Sequence, residues 1–116
     1  MRKDATETDG EIRVRGLICE ALYVGSKYRS WMGRDKQNAG REKTFRVLYH
    51  RFTWETDNGE EYMQVVEWLP DSSNATRLAD CTIPYAARQP YKLLLRGLKE
   101  EGGILQAEAR EIVPIP

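Results

Sequence analysis

The chain has 116 residues, 41% hydrophobic and 31% charged, with 18 basic and 18 acidic side chains that cancel. That length supports one modest core and not two, and no apolar run approaches the roughly 20 residues of a membrane span. Cys19 and Cys81 lie far apart without a CxxC partner, and His50 is the one histidine. The spacing of a metal cluster or of a secreted disulfide scaffold is therefore missing, and two reduced, buried thiols are expected.

The neutral total hides an uneven distribution. From Arg13 to Arg51 ten bases face only Glu20, Asp35 and Glu42, a surplus of seven. From Phe52 to Asp80 one base, Arg77, faces Glu55, Asp57, Glu60, Glu61, Glu67, Asp71 and Asp80, a deficit of six. A polyanion meets the local field rather than the net charge, so a basic face remains available to it.

In chain order, residues 1–10 are polar and aperiodic, which predicts a disordered tail. The start, MRKDATETDGE, lacks the apolar segment of a secretory signal, and a cytoplasmic location is expected. A strand follows over 11–24, EIRVRGLICEALYV, whose alternation changes phase at Gly16, as at a bulge or bend. Residues 25–43, GSKYRSWMGRDKQNAGREK, hold three glycines and six bases without a period of 2 or 3.6. They predict a long, mobile loop or the extension of a hairpin, and long loops in compact domains are often functional.

Residues 44–69, TFRVLYHRFTWETDNGEEYMQVVEWL, predict two strands joined at Asp57-Asn58-Gly59, where Asn and Gly tolerate the positive φ of a tight turn. Phe45, Val47 and Tyr49 share one side of the first strand; Leu48, His50, Phe52 and Trp54 share the other. One side must be core, and pattern alone leaves open which. Tyr62, Val66 and Trp68 share a side of the second strand and are expected in the core. Residues 70–81 predict a short helix capped by Ser72 or Ser73, with Ala75, Leu78 and Ala79 as a narrow apolar stripe. A linker over 82–90 leads to two strands around Gly102-Gly103, the second alternating Leu105, Ala107 and Ala109 with polar neighbours. The result is an all-β class with one short helix: three strands, the helix, then two strands, in a single domain over 11–116.

Three stretches carry a resemblance: IRVRGLI, MQVVEWLPDSSNATRLADC and YKLLLRGLKEEGGILQAEAREIVPI. They resemble the first strand, the third strand with its following helix, and the closing hairpin of OB-fold single-stranded-DNA-binding proteins of bacteria, phages and plasmids. The resemblance implies a five-stranded OB-fold barrel, binding of single-stranded DNA in replication or recombination, and a homo-oligomer, dimer or tetramer. The basic 25–43 segment is longer than in that family. The partner-recruiting acidic tail of the housekeeping members is not matched by IVPIP, which points to a phage, plasmid or accessory protein.

Binding single strands takes aromatic faces for bases and cations for phosphates. The candidate stackers are Tyr28, Trp31, Tyr49 and Trp54, with Phe52 a weaker one. The candidate phosphate contacts are Lys27, Arg29, Arg34, Lys36, Arg41, Lys43, Arg46 and Arg51. No Walker loop, GxSxG or HExxH occurs, and Glu60-Glu61 and Glu100-Glu101 sit beside turns rather than in a cleft. No catalytic residue, cofactor or metal is expected. RNA binding is not separable from DNA binding at this level. A protein–protein or inhibitor module of a replication or phage assembly, with the acidic 55–71 stretch as its active face, is the alternative.

Overall fold

Residues 17–116 are described by a computed structural model of the chain; the expected 1–10 tail and the phase change at Gly16 lie outside the described residues. Strand β1 runs Leu17–Asp35, β2 Arg41–Thr56, β3 Gly59–Trp68, β4 Pro90–Glu101 and β5 Ile104–Pro114. They close into a barrel in the order β1-β2-β3-β5-β4. Every pairing is antiparallel except β3 with β5, which is parallel over Met63–Val66 and Leu105–Glu108. This is the five-stranded Greek-key barrel of the OB-fold.

One strand serves two neighbours through a bulge. β1 pairs with β4 over Leu17–Leu22 and with β2 from Leu22 onward, and its register to β2 slips between Tyr23 and Gly25. The extra residue, Val24, bends the strand where it leaves β4. Beyond the bend, β1 and β2 stay paired out to Asp35 and Arg41. The 25–43 segment is therefore a hairpin extension and not a mobile loop. Its alternation was hidden because a ribbon that leaves the barrel meets solvent on much of both faces, so neither face needs to be uniformly apolar. The radius of gyration is 15.9 Å and the longest extent 44 Å, against a radius of about 13 Å for a compact 100-residue domain.

Turn chemistry sets the hairpin ends. At the tip, Asp35 accepts hydrogen bonds from Gln37 N at 3.0 Å and Asn38 Nδ2 at 2.6 Å. Those two bonds hold the Asp35 carboxyl below the usual carboxylate range. Between β2 and β3 the turn residues are Asp57 and Asn58, and only Gly59 takes positive φ, at 107°. Gly102 and Gly103 both take positive φ in the last hairpin, as their sequence predicts.

The core is the inner face: Ala21, Tyr23, Phe52, Met63, Val65, Tyr91, Leu93, Leu95 and Ala107. No slip interrupts the β2–β3 register, so the even-numbered residues of β2 face inward and the odd-numbered ones outward. His50 is buried on the inner side: its Nδ1 lies 2.6 Å from Ser26 Oγ and its Nε2 2.8 Å from Glu67 Oε1. Ser26 Oγ also bonds the Tyr23 hydroxyl. Both ring nitrogens are thus satisfied, which removes the desolvation penalty of a buried imidazole. Cys19 and Cys81 are unpaired and half-buried, and burial raises both thiol pKa values.

The expected helix over 70–81 is replaced by turns and one 3-10 turn at Leu78–Asp80. Ser73 Oγ accepts from Ala75 N and Asp80 Oδ2 accepts from Thr76 N, and such local bonds compete with helix formation. A stripe of Ala75, Leu78 and Ala79 also buries too little to hold so short a helix. Ala75 alone of them is buried; Leu78 and Ala79 are exposed.

Tyr85, in the segment expected as a linker, caps the core instead. Its ring lies 5.5 Å from Tyr23, 5.2 Å from His50, 6.2 Å from Phe52 and 5.5 Å from Tyr91. Burial raises its phenol pKa above the ordinary tyrosine value. A raised folded-state value means that stability is full below the unfolded value and falls as pH rises from it through the folded one. Tyr85→Phe keeps the ring contacts and should flatten part of the loss of stability above pH ~10, measured by urea unfolding at pH 8 and 11. No helix among the described residues is long and apolar enough to cross a membrane.

Candidate nucleic-acid interface

The outer face of β1, β2 and β3 gathers what a solvated sheet face ordinarily lacks. Trp31 pairs in register with Phe45, and Val47 with Trp68. The rings of Trp31 and Phe45 stack with centroids 5.8 Å apart, and Trp68 meets both edge-on at 5.8 and 6.4 Å. Val47, wholly buried, sits between Trp68 and Arg29 in register and supplies the floor. Trp31 is 41% exposed and Trp68 51%. Apolar rings in that state are available to a ligand's flat faces.

Gly33 makes this packing possible. A Cβ there would lie 2.9 Å from Phe45 Cε2, so the ring of Phe45 occupies the space above the glycine. Gly33→Ala should push Phe45 off the Trp31 stack, shifting tryptophan emission while costing under about 1 kcal/mol of stability, because a ring can rotate away.

Cations continue the outer face along β1 and β2. Lys27 and Arg29 are exposed on β1, pairing in register with Tyr49 and Val47. Further along β2, the Arg51 guanidinium lies over the Tyr62 ring, 5.5 Å from its centroid. A shallow pocket of about 210 Å³ lies among Lys27, Tyr49, Arg51 and Gln64. Lys43 is engaged differently: its Nζ is 2.9 Å from Asp71 Oδ1, 3.8 Å from Asp35 Oδ2 and 5.3 Å from the Phe45 centroid. The Asp71 hydrogen bond raises the Lys43 pKa, so it stays an ammonium throughout the neutral range.

Alternation sorts the sequence candidates. Lys27, Arg29, Trp31, Arg41, Lys43, Tyr49 and Arg51 belong to the outer face. Tyr28, Arg34, Arg46 and Trp54 belong to the inner face, and Lys36 lies in the tip turn. Tyr28 is half-buried and donates to Ala75 O at 2.9 Å, so it ties the hairpin to the 70–81 segment. Arg34 Nη1 donates to Gly40 O at 2.9 Å and serves the turn. Trp54 packs against the core.

No family model matches the chain, and no curated protein or solved structure matches it.

Two exposed rings run against the sequence expectation. Tyr62 and Trp68, expected in the core, are 46% and 51% exposed. A signal existed: their side of β3 also carries Glu60 and Gln64, whereas the opposite side carries Met63 and Val65. Ser26, His50 and Glu67 have the composition of a nucleophilic triad, yet the Ser26 hydroxyl bonds to Tyr23 and shares the inner face with His50. Among the described residues, no group of His, Cys, Asp or Glu is placed to hold a metal ion.

Proposed function

We propose that this chain binds single-stranded DNA, without catalysing a reaction on it, across the outer face of β1, β2 and β3. The observation that carries the reading is the cluster Trp31, Phe45 and Trp68, with Lys43 over the Phe45 ring, Arg29 in register with Val47, and Lys27 and Arg51 further along the same face. Bases stack on the rings and phosphates follow the cations, an arrangement with little sequence preference because every base has a flat face. OB-folds use the same strand 2–3 face and the 1–2 loop for oligonucleotides, and here the hairpin extension lengthens that side of the face. The acidic residues Glu55, Glu60 and Glu61 lie at the opposite end of β2 and β3, where they direct a polyanion away from the β2–β3 turn. A role in replication or recombination follows from the ligand class.

Titration with oligo-dT at low salt tests the reading. Tryptophan fluorescence should be quenched, and log affinity should fall with log salt by roughly 0.7 per phosphate neutralised. Absence of binding at low salt, or equal affinity for duplex, would overturn it. Oligo-rU at matched salt separates DNA from RNA. Sedimentation with and without oligomer reads the assembly state, for which a dimer or tetramer is the form proposed.

A further inference from the structure

We propose that the groove where the chain leaves β3 beside the hairpin is a base-recognition subsite that prefers guanine, a deepening that rests on the single-strand reading above. The groove, about 440 Å³, is lined by Lys43, Thr44, Phe45, Trp68, Leu69 and Asp71 among others. Its volume falls within the ~300–1,000 Å³ of small-ligand sites. Its position is set by topology: β2 is paired to β3 only as far as Val47 and Trp68, after which Leu69 N donates to Arg46 O and the chain turns away at Pro70. Asp71 then reaches back to Lys43 and closes the groove.

Its chemistry differs from that of the rest of the face. Arg34, Lys36 and Arg46 also line the groove and suit phosphate, but beside the Trp31–Phe45–Trp68 cluster it adds a carboxylate, Asp71, with 76% of its side-chain surface exposed, next to an ammonium and a half-exposed indole. Asp35 is committed to the hairpin turn through Gln37 and Asn38, so Asp71 is the carboxylate of the groove left for a ligand. A carboxylate repels a phosphate and accepts from N–H groups. Guanine alone among the bases presents two adjacent donors, N1–H and the N2 amine, next to an acceptor, O6, on one edge. Asp71 would take the two donors and Lys43 would donate to O6, while Trp68 supplies a face for the ring. Thymine offers one donor between two acceptors, which Asp71 repels, and cytosine offers one donor.

Anisotropy titration of end-labelled dT oligomers carrying one central dG, inosine or dC tests this. The dG strand should bind at least about fivefold tighter than the all-dT strand, the low end of what a good bidentate contact discriminates. Inosine, which lacks the N2 amine, should lose most of that gain. Asp71→Ala should abolish the gap and tighten binding of the all-dT strand with a steeper salt slope, because Lys43 is released to the phosphates. A wild-type protein that binds dG, inosine and dT strands equally overturns the guanine subsite and leaves single-strand binding standing. So does a variant that keeps the gap. Failure of every strand to bind overturns both.

Discussion

Alanine in place of Phe52 should remove about 3–5 kcal/mol of stability. Phe52 is wholly buried, its ring set edge-on against Tyr23 at 5.5 Å and Tyr91 at 6.1 Å, with Tyr85 at 6.2 Å. A barrel of this size holds about 5–15 kcal/mol in all, so one such cavity consumes a large fraction of it. The melting temperature should fall by roughly 4–8 °C per kcal/mol. The capping ring shares the same contacts, so Phe52→Ala combined with Tyr85→Ala should cost less than the two single losses together, because neighbours that pack on each other couple. Urea unfolding reads both effects. A loss below about 1 kcal/mol for Phe52→Ala would contradict the assignment of the even-numbered face of β2 to the core.

Trp31→Ala should have the opposite profile. Loss of one stacking face is worth about 1–3 kcal/mol per base, or roughly 5- to 150-fold in affinity. The folded state gives up contacts with Phe45 and Trp68 at a half-exposed site, about 1 kcal/mol. Trp68→Ala should behave alike, and since the two rings touch, the double variant should be less than additive. Oligo-dT titration beside a thermal melt separates the two quantities. Stability lost in proportion to affinity would make the cluster a second core rather than a ligand surface.

These two variants lie on strands paired to each other, and what separates them is which side of the sheet each ring occupies. For β2 that could not be read from the residues, because Phe45, Val47 and Tyr49 are as apolar as Leu48, Phe52 and Trp54. A strand lined on both sides by apolar residues has no polar face to mark solvent. On β3 the marks were present in Glu60 and Gln64, yet Trp68 and Tyr62 outweighed them as large rings expected to be buried. The choice between a mobile loop and a hairpin extension over 25–43 stayed open for a related reason: out of the barrel, Ser26 to Asp35 need not alternate in hydropathy to stay paired.

What the residues determined unaided was local. β-branched and aromatic runs specified strands, Gly102-Gly103 specified a turn, and basic and acidic residues were separated along the chain, though not by face. Together these were enough for an all-β class in one domain; the five-stranded OB-fold barrel was implied by the resemblance that IRVRGLI, MQVVEWLPDSSNATRLADC and the closing hairpin carry, and the strand order β1-β2-β3-β5-β4 agrees with it. Tertiary structure alone decided three things. It made Tyr85, from the segment expected as a linker, the cap of the core, because its ring packs on Tyr23 and Tyr91 at the barrel end. It spent Tyr28 and Arg34 on hydrogen bonds within the hairpin and its neighbour. And it brought Trp68, from the end of β3, against Trp31 and Phe45 of the hairpin. Pairing register sets such contacts, and register is a property of two strands at once, which no single stretch of sequence contains.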